Sequence, residues 1–134
     1  MPILEPQAVI EAFFRLAAHA TDVTEIAGLV SDDVDWFVAG DLNAVPWIGR
    51  KVGRAGAAEF YAQIREQIAS ERFAVKDILV RGDRVVAVGD LASRVKRTGK
   101  LIETEFVFDF TVRDGLITRF RLFEDSFAVA QACS

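Results

Sequence analysis

Phenylalanine recurs at every second position over Phe106, Phe108 and Phe110, and beyond the Asp114-Gly115 turn the same beat runs through Phe120 and Leu122 to Glu124. Side chains two apart on a strand share a face, so the spacing predicts two paired strands presenting one aromatic surface. That surface is too apolar to face water. Upstream, the pattern predicts strands over Phe73 to Val80, Arg84 to Lys96 and Leu101 to Val112, with Leu116 to Asp125 as the fourth. The pieces Arg81-Gly82-Asp83, Thr98-Gly99 and Arg113-Asp114-Gly115 have turn chemistry, and connections this short make the strands antiparallel neighbours.

The first half of the chain changes period. From Gln7 to Ala18, Val9, Ile10, Phe13, Phe14, Leu16 and Ala17 fall at helical spacing. Asp22 and Glu25 have the spacing of a capping box, ahead of a short second helix whose buried stripe is Ile26, Leu29 and Val30. Ser31-Asp32-Asp33 breaks that helix, and Val34 to Ala39 alternates as a strand with Val34, Trp36 and Val38 on one side and Asp35 and Phe37 on the other. Gly40 to Gly53 reads as a loop, in which Val45, Trp47 and Ile48 suggest folding over something. A third helix follows from about Arg54 to Ser70, with Ala57, Phe60, Tyr61, Ile64 and Ile68 inward and Arg65, Glu66 and Glu71 toward water. Helices first and a meander of strands last describe an α+β domain with helices on one face of a curved sheet.

Composition narrows the function classes. With 134 residues, 51% of them hydrophobic and 27% charged, one soluble domain spanning 1–134 is expected. The net charge is −4 and the 16 basic residues are scattered, which argues against nucleic acid as a partner. No apolar run approaches a membrane span, and the start, with Glu5 and no basic residues, does not read as a signal peptide. Cys133 is the single cysteine, so no internal disulfide forms and a cytoplasmic location is expected.

The block Val45-Pro46-Trp47-Ile48-Gly49-Arg50, with Gly53-Arg54 and Ala58-Glu59-Phe60-Tyr61 after it, resembles a known family. So does the ending Val112-Arg113-Asp114-Gly115-Leu116-Ile117, with Phe120-Arg121 and Glu124-Asp125. Both are similar to the SnoaL-like, ketosteroid-isomerase-like branch of the nuclear-transport-factor-2-like superfamily, which also includes polyketide cyclases and limonene epoxide hydrolases. The resemblance covers nearly the whole chain and implies a cone-shaped, cystatin-like α+β barrel, with three N-terminal helices packed on a curved, mostly antiparallel sheet. It further implies a cavity open at one end, pairing of two copies through the outer face of the sheet, and no cofactor.

Carried over residue by residue, the family's catalytic positions turn apolar. A steroid isomerase needs a carboxylate base with a tyrosine and a protonated acid to hold the enolate oxygen. Those positions fall on Val38, Phe14 and Phe108. The charged triad of the epoxide hydrolases falls on Phe106, Phe108 and Leu122, and the inward side of the last strand, where cyclases place an aspartate, offers Phe120 and Leu122. Hydrocarbon neither accepts a proton nor donates a hydrogen bond.

Glu124 shares the inward parity of Phe120 and Leu122. Two readings stay open for it: a carboxyl among aromatics with a raised pKa, or a cap for the C-terminal segment. Asp41, beside Trp47, is the second candidate proton carrier or a local turn contact. Ser93 offers one hydrogen bond but lacks a basic partner that would make it a nucleophile. His19, in the last turn of the first helix, reads as a cap, and no metal site is proposed. Tyr61 and Trp47 suit a pocket rim or the core. The predicted pocket is lined by Phe14, Trp36, Val38, Trp47, Phe60, Tyr61, Leu91, Ser93, Phe106, Phe108, Phe120 and Leu122, and takes a small apolar molecule. Three functions fit: a small-molecule-binding domain, a cyclase, isomerase or dehydratase using Glu124 or Asp41, and a dimerisation domain without ligand.

Overall fold

The computed structural model describes residues 4–134. In chain order its elements are α1 (Pro6–His19), α2 (Thr24–Ala27), β1 (Val30–Val38), β2 (Gly49–Val52), α3 (Gly53–Gln67), β3 (Ile68–Arg81), β4 (Arg84–Val95), β5 (Leu101–Arg113), β6 (Leu116–Glu124) and α4 (Ser126–Ala132). The strands form one six-stranded sheet in the order β2-β1-β6-β5-β4-β3. β1 runs parallel to β6, and every other neighbouring pair is antiparallel. The α+β reading with a mostly antiparallel sheet therefore holds.

Register shifts bend the sheet. They lie between Ser70 and Arg72 and between Val75 and Asp77 on β3, and between Thr111 and Val112 on β5. An extra residue in one strand of a pair sharpens the local twist, which curls the sheet around α1. Gly89 makes the second bend feasible. A Cβ there would lie 1.9 Å from the Ala74 carbonyl oxygen and 2.7 Å from Cζ of Phe106, so the close strand approach and the ring above it both need a bare backbone.

The aromatic surface closes on α1. The ring of Phe13, fully buried, lies 5.5–6.5 Å from the rings of Phe14, Trp36, Tyr61, Phe110 and Phe120, mostly edge to face. Trp36 stacks flat on Phe120 at 3.6 Å. The α1 C-terminus is closed by α3: Arg65 donates to the carbonyls of Leu16, Ala17 and Ala20. All three lie at the negative end of a helix dipole; the Leu16 carbonyl also accepts the Ala20 N–H, whereas Ala17 and Ala20 have no backbone donor of their own among the described residues. Arg65 was expected toward water and His19 as the cap. Instead His19 lies exposed in the last turn, and the hydrogen bonds come from the longer guanidinium across the helix pair.

Four other boundaries differ from expectation. α2 is a single turn, and Val30 belongs to β1, level with Ile117, because Leu29 accepts the Ile117 N–H and draws the chain into the sheet. Ser31-Asp32-Asp33 is thus not a break before the strand but an irregularity within it. The Gly40–Gly53 loop contains β2, held by four pairs to β1 although its sequence lacks alternation. α3 stops at Gln67, since Ile68 pairs with Val95 and starts β3. α4 was not expected at all; its seven residues carry too little periodicity to read.

Candidate functional site

Glu124 ends β6 on the inward face. Its Cα stands opposite Phe106, which in turn stands opposite Gly89 on β4. The next inner row is Ala87, Phe108 and Leu122, and the one beyond is Val85, Phe110, Phe120 and Trp36. The carboxyl therefore sits at one end of the aromatic face, about two rows from the Trp36–Phe120 stack. It is half-buried, and among the described residues no donor reaches it. Burial without a compensating hydrogen bond disfavours the carboxylate and pushes the pKa up to about 7. The capping task falls to its neighbour: Asp125 accepts the Ala128 N–H at 3.0 Å, and its own N–H donates to Thr104 Oγ1 at 2.9 Å. The cap of α4 is thus Asp125, and Glu124 is the carboxyl that burial shifts upward.

The candidate pocket residues divide into two groups. Trp36, Val38, Phe60, Phe108 and Phe120 are packed core, as are Trp47 in the 40–48 segment and Ser93 on β4. Tyr61 is buried against Phe13, Trp36 and Phe60, and removal from water pushes its phenol well above the usual range. The buried Trp36 indole N–H has no hydrogen-bond partner among the described residues. Phe14, Leu91 and Leu122 are less enclosed and, with Phe106, lie toward the Glu124 end. Two phenylalanines not counted as site residues join them. Phe13 fills the centre, and Phe73, half exposed, stacks on Phe106 at 4.9 Å and touches Phe14. The register shifts on β3 hide the inward parity of Phe73 from a two-residue count; Phe13 was legible as a helix residue but not as the plug of the cone.

Asp41 is exposed, and its carboxylate accepts the Asn43 N–H at 3.0 Å in a turn closed by bonds from Ala44 and Val45 to its carbonyl. It borders a surface groove of about 590 Å³ between the 40–48 segment and α4, together with Lys100, Phe127 and Gln131. Asp41 and Glu124 thus serve different surroundings. Among the described residues no cluster of three or more His, Cys, Asp or Glu side chains is arranged to hold a metal ion, and no helix is long and apolar enough to cross a membrane.

A SnoaL-like domain model matches residues 10–120. The chain belongs to the SnoaL-like family. An NTF2-like protein from Burkholderia xenovorans LB400 shares 26% identity over 100% of this chain and 99% of its own, with a TM-score of 0.88. TerC, co-crystallised with polyporic acid, shares 26% identity over 96% of this chain and 97% of its own, with a TM-score of 0.79. A protein of ketosteroid isomerase-like fold from Catenulispora acidiphila, in complex with trimethylamine, is 14% identical over 86% of this chain and 83% of its own, with a TM-score of 0.70. That last likeness is one of fold alone. No curated protein matches the chain. The SnoaL-like fold accounts for the curved sheet around α1.

Proposed function

We propose that this SnoaL-like domain binds a small apolar ring compound at the Glu124 end of its aromatic face, and that Glu124 exchanges a proton with it. The observation that carries the reading is the carboxyl itself: dehydrated, without a donor, level with Phe106 and poised near neutral pH. A group so poised gives up or takes a proton at little cost, as general acid–base chemistry requires. The rings of Phe14, Phe73 and Phe106 supply flat apolar contact but no charge to stabilise an anion, so the transferred proton has to be the main chemical event. Isomerisation, cyclisation and dehydration of an oxygen-bearing ring all fit that description. Asp41, engaged in its own turn, takes no part. Co-crystallisation of TerC with polyporic acid supports an aromatic, oxygenated ligand class.

The test is a titration of wild type and Glu124→Gln with polyporic acid and a panel of aromatic ring ketones and steroids, read by Trp36 and Trp47 fluorescence and by melting temperature. Binding by wild type should change with a midpoint near pH 7, and Glu124→Gln should lose that pH dependence. Failure of every compound to move either signal, or identical pH profiles in both proteins, would refute the reading.

A second copy is proposed as the macromolecular partner, seated on the outer face of the sheet. There Val88, Val107 and Phe123 form one row, with Phe123 half exposed. On one side of the row Asp35 and Asp109 each hold two arginines: Arg50 and Arg121, and Arg84 and Arg119. On the other side Glu71, Asp90, Glu103 and Glu105 outnumber Arg72, Lys76 and Arg94. A two-fold axis through the apolar row lays the cationic end of one copy on the anionic end of the other. Light scattering should give twice the chain mass for wild type and a monomer for Phe123→Glu; a monomeric wild type at 100 μM would overturn this.

A further inference from the structure

Directly after Glu124 the chain reverses at Asp125, and α4 folds back over the inward face, burying Val129, Ala132 and Cys133 while leaving Phe127 and Gln131 in water. Seven residues do not hold a helix by themselves. The attachments lie at the two ends and differ in kind. At the start stand the Asp125 cap and the hydroxyl of Thr104 on β5, which accepts the Asp125 N–H. At the finish, three side chains of the β4–β5 turn reach the last carbonyls: Arg97 donates to Cys133, Thr98 to Ala132 and Lys100 to Ser134. Two of the three donors are cations at the negative end of a helix dipole. The turn itself is fixed, with Gly99 in the left-handed region and its N–H bonded to the Val95 carbonyl. The outer side of α4 borders the open groove rather than another element.

We infer that α4 is a lid over the Glu124 end of the cone, hinged at Asp125 and latched by Arg97, Thr98 and Lys100. The functional meaning of the lid rests on the Glu124 site proposed above, but its motion does not. Opening costs only the three latch bonds and the cover of three small or medium apolar side chains, far less than unfolding the sheet, so α4 opens as a local unit. The latch residues bond to the end of α4 and not to the Glu124 carboxyl. They are positioning residues: closed, they keep water from the carboxyl; open, they admit the ligand.

Cys133 reports the motion, because the described chain buries this thiol under the latched helix and contains no other cysteine. Labelling with an aromatic disulfide reagent in excess, on the intact folded protein at fixed pH, should proceed in wild type with weak dependence on urea. Arg97→Ala and Thr98→Val should each raise the rate about tenfold, the effect of one lost hydrogen bond, with the melting temperature nearly unchanged. Arg97 lowers the thiol pKa, so its removal by itself slows labelling, and an acceleration comes from opening. Labelling of wild type and both variants at the rate and urea dependence of global unfolding overturns the lid. If a variant does not fold, the urea dependence of wild type and of Lys100→Ala still decides. Association of polyporic acid with Arg97→Ala should be faster than with wild type. Local labelling without binding of any ring compound sinks the Glu124 site and leaves the lid; pH-dependent binding with labelling only through global unfolding does the reverse.

Discussion

Glu124→Gln gives the sharpest quantitative test of the site, because the predicted effect has a sign that ordinary carboxylates do not show. In the folded chain the carboxyl is pushed from 4.5 up to about 7 by burial. The folded state therefore holds the proton more tightly than the unfolded state. Below pH 4.5 both states are protonated and Glu124 adds no pH dependence. Between 4.5 and 7 the unfolded state ionises first, so stability falls as pH rises; above 7 both are ionised and the loss is complete. Moving a carboxyl from 4.5 to about 7 corresponds to about 3 kcal/mol at most, and about 2–3 kcal/mol of it develops between pH 5 and 8. Gln has the same shape and no proton to lose. Urea unfolding of both proteins at pH 5, 6, 7 and 8 isolates the effect, since other titrating groups cancel in the difference. The Cys133 thiol beside it is itself pushed up by burial and stays protonated across this range. Glu124→Gln should gain on wild type by about 2–3 kcal/mol from pH 5 to pH 8. The new amide leaves an unpartnered donor, but that cost of about 1–3 kcal/mol is the same at every pH and shifts only the baseline. A stability difference that stays flat within about 0.5 kcal/mol over this range refutes the claim that Glu124 is dehydrated.

Substitutions at four further positions test the packing that places the site. Gly89→Ala should lower the urea midpoint by the equivalent of about 3 kcal/mol, because the added methyl meets backbone at Ala74 as well as the Phe106 ring; an unchanged midpoint would mean that β3 does not approach β4 so closely. Phe13→Ala should cost about 3–5 kcal/mol and Phe73→Ala much less, since the first ring is enclosed by five others and the second is half exposed; similar losses in thermal denaturation would contradict the plugged cone. Arg65→Ala should cost about 2 kcal/mol by leaving the Ala17 and Ala20 carbonyls unpaired, and Arg65→Lys should not restore it, because one ammonium cannot span three acceptors; full recovery with Lys would assign the effect to charge alone.

Alternation by itself determined the sheet's inner face. Phe106, Phe108, Phe110, Phe120, Trp36 and Val38 all point where a two-residue period puts them, because a slip of one residue would have sent four phenylalanines into water. The same parity marked Glu124. What the sequence did not reveal lies where local pattern and tertiary pairing part company. β2 and the start of β1 are strands because a partner accepts their hydrogen bonds, not because their residues alternate. Phe73 faces inward only after bulges that no periodicity announces, and Arg65 leaves the solvent side of its helix because the carbonyls that end α1 lie within its reach.

For the site the division is similar. Parity on β6 nominated Glu124, but whether it capped the C-terminal segment or stood dehydrated depended on where α4 began, and α4 is too short to be written in its own residues. Its existence follows from a cap at Asp125, three donors on a distant turn and a buried strip of Val129, Ala132 and Cys133. Apart from the local cap, these contacts join residues far apart in the chain. Local periodicity reports which face an element buries; the partner that buries it, and the degree to which Glu124 is covered, are properties of the folded whole.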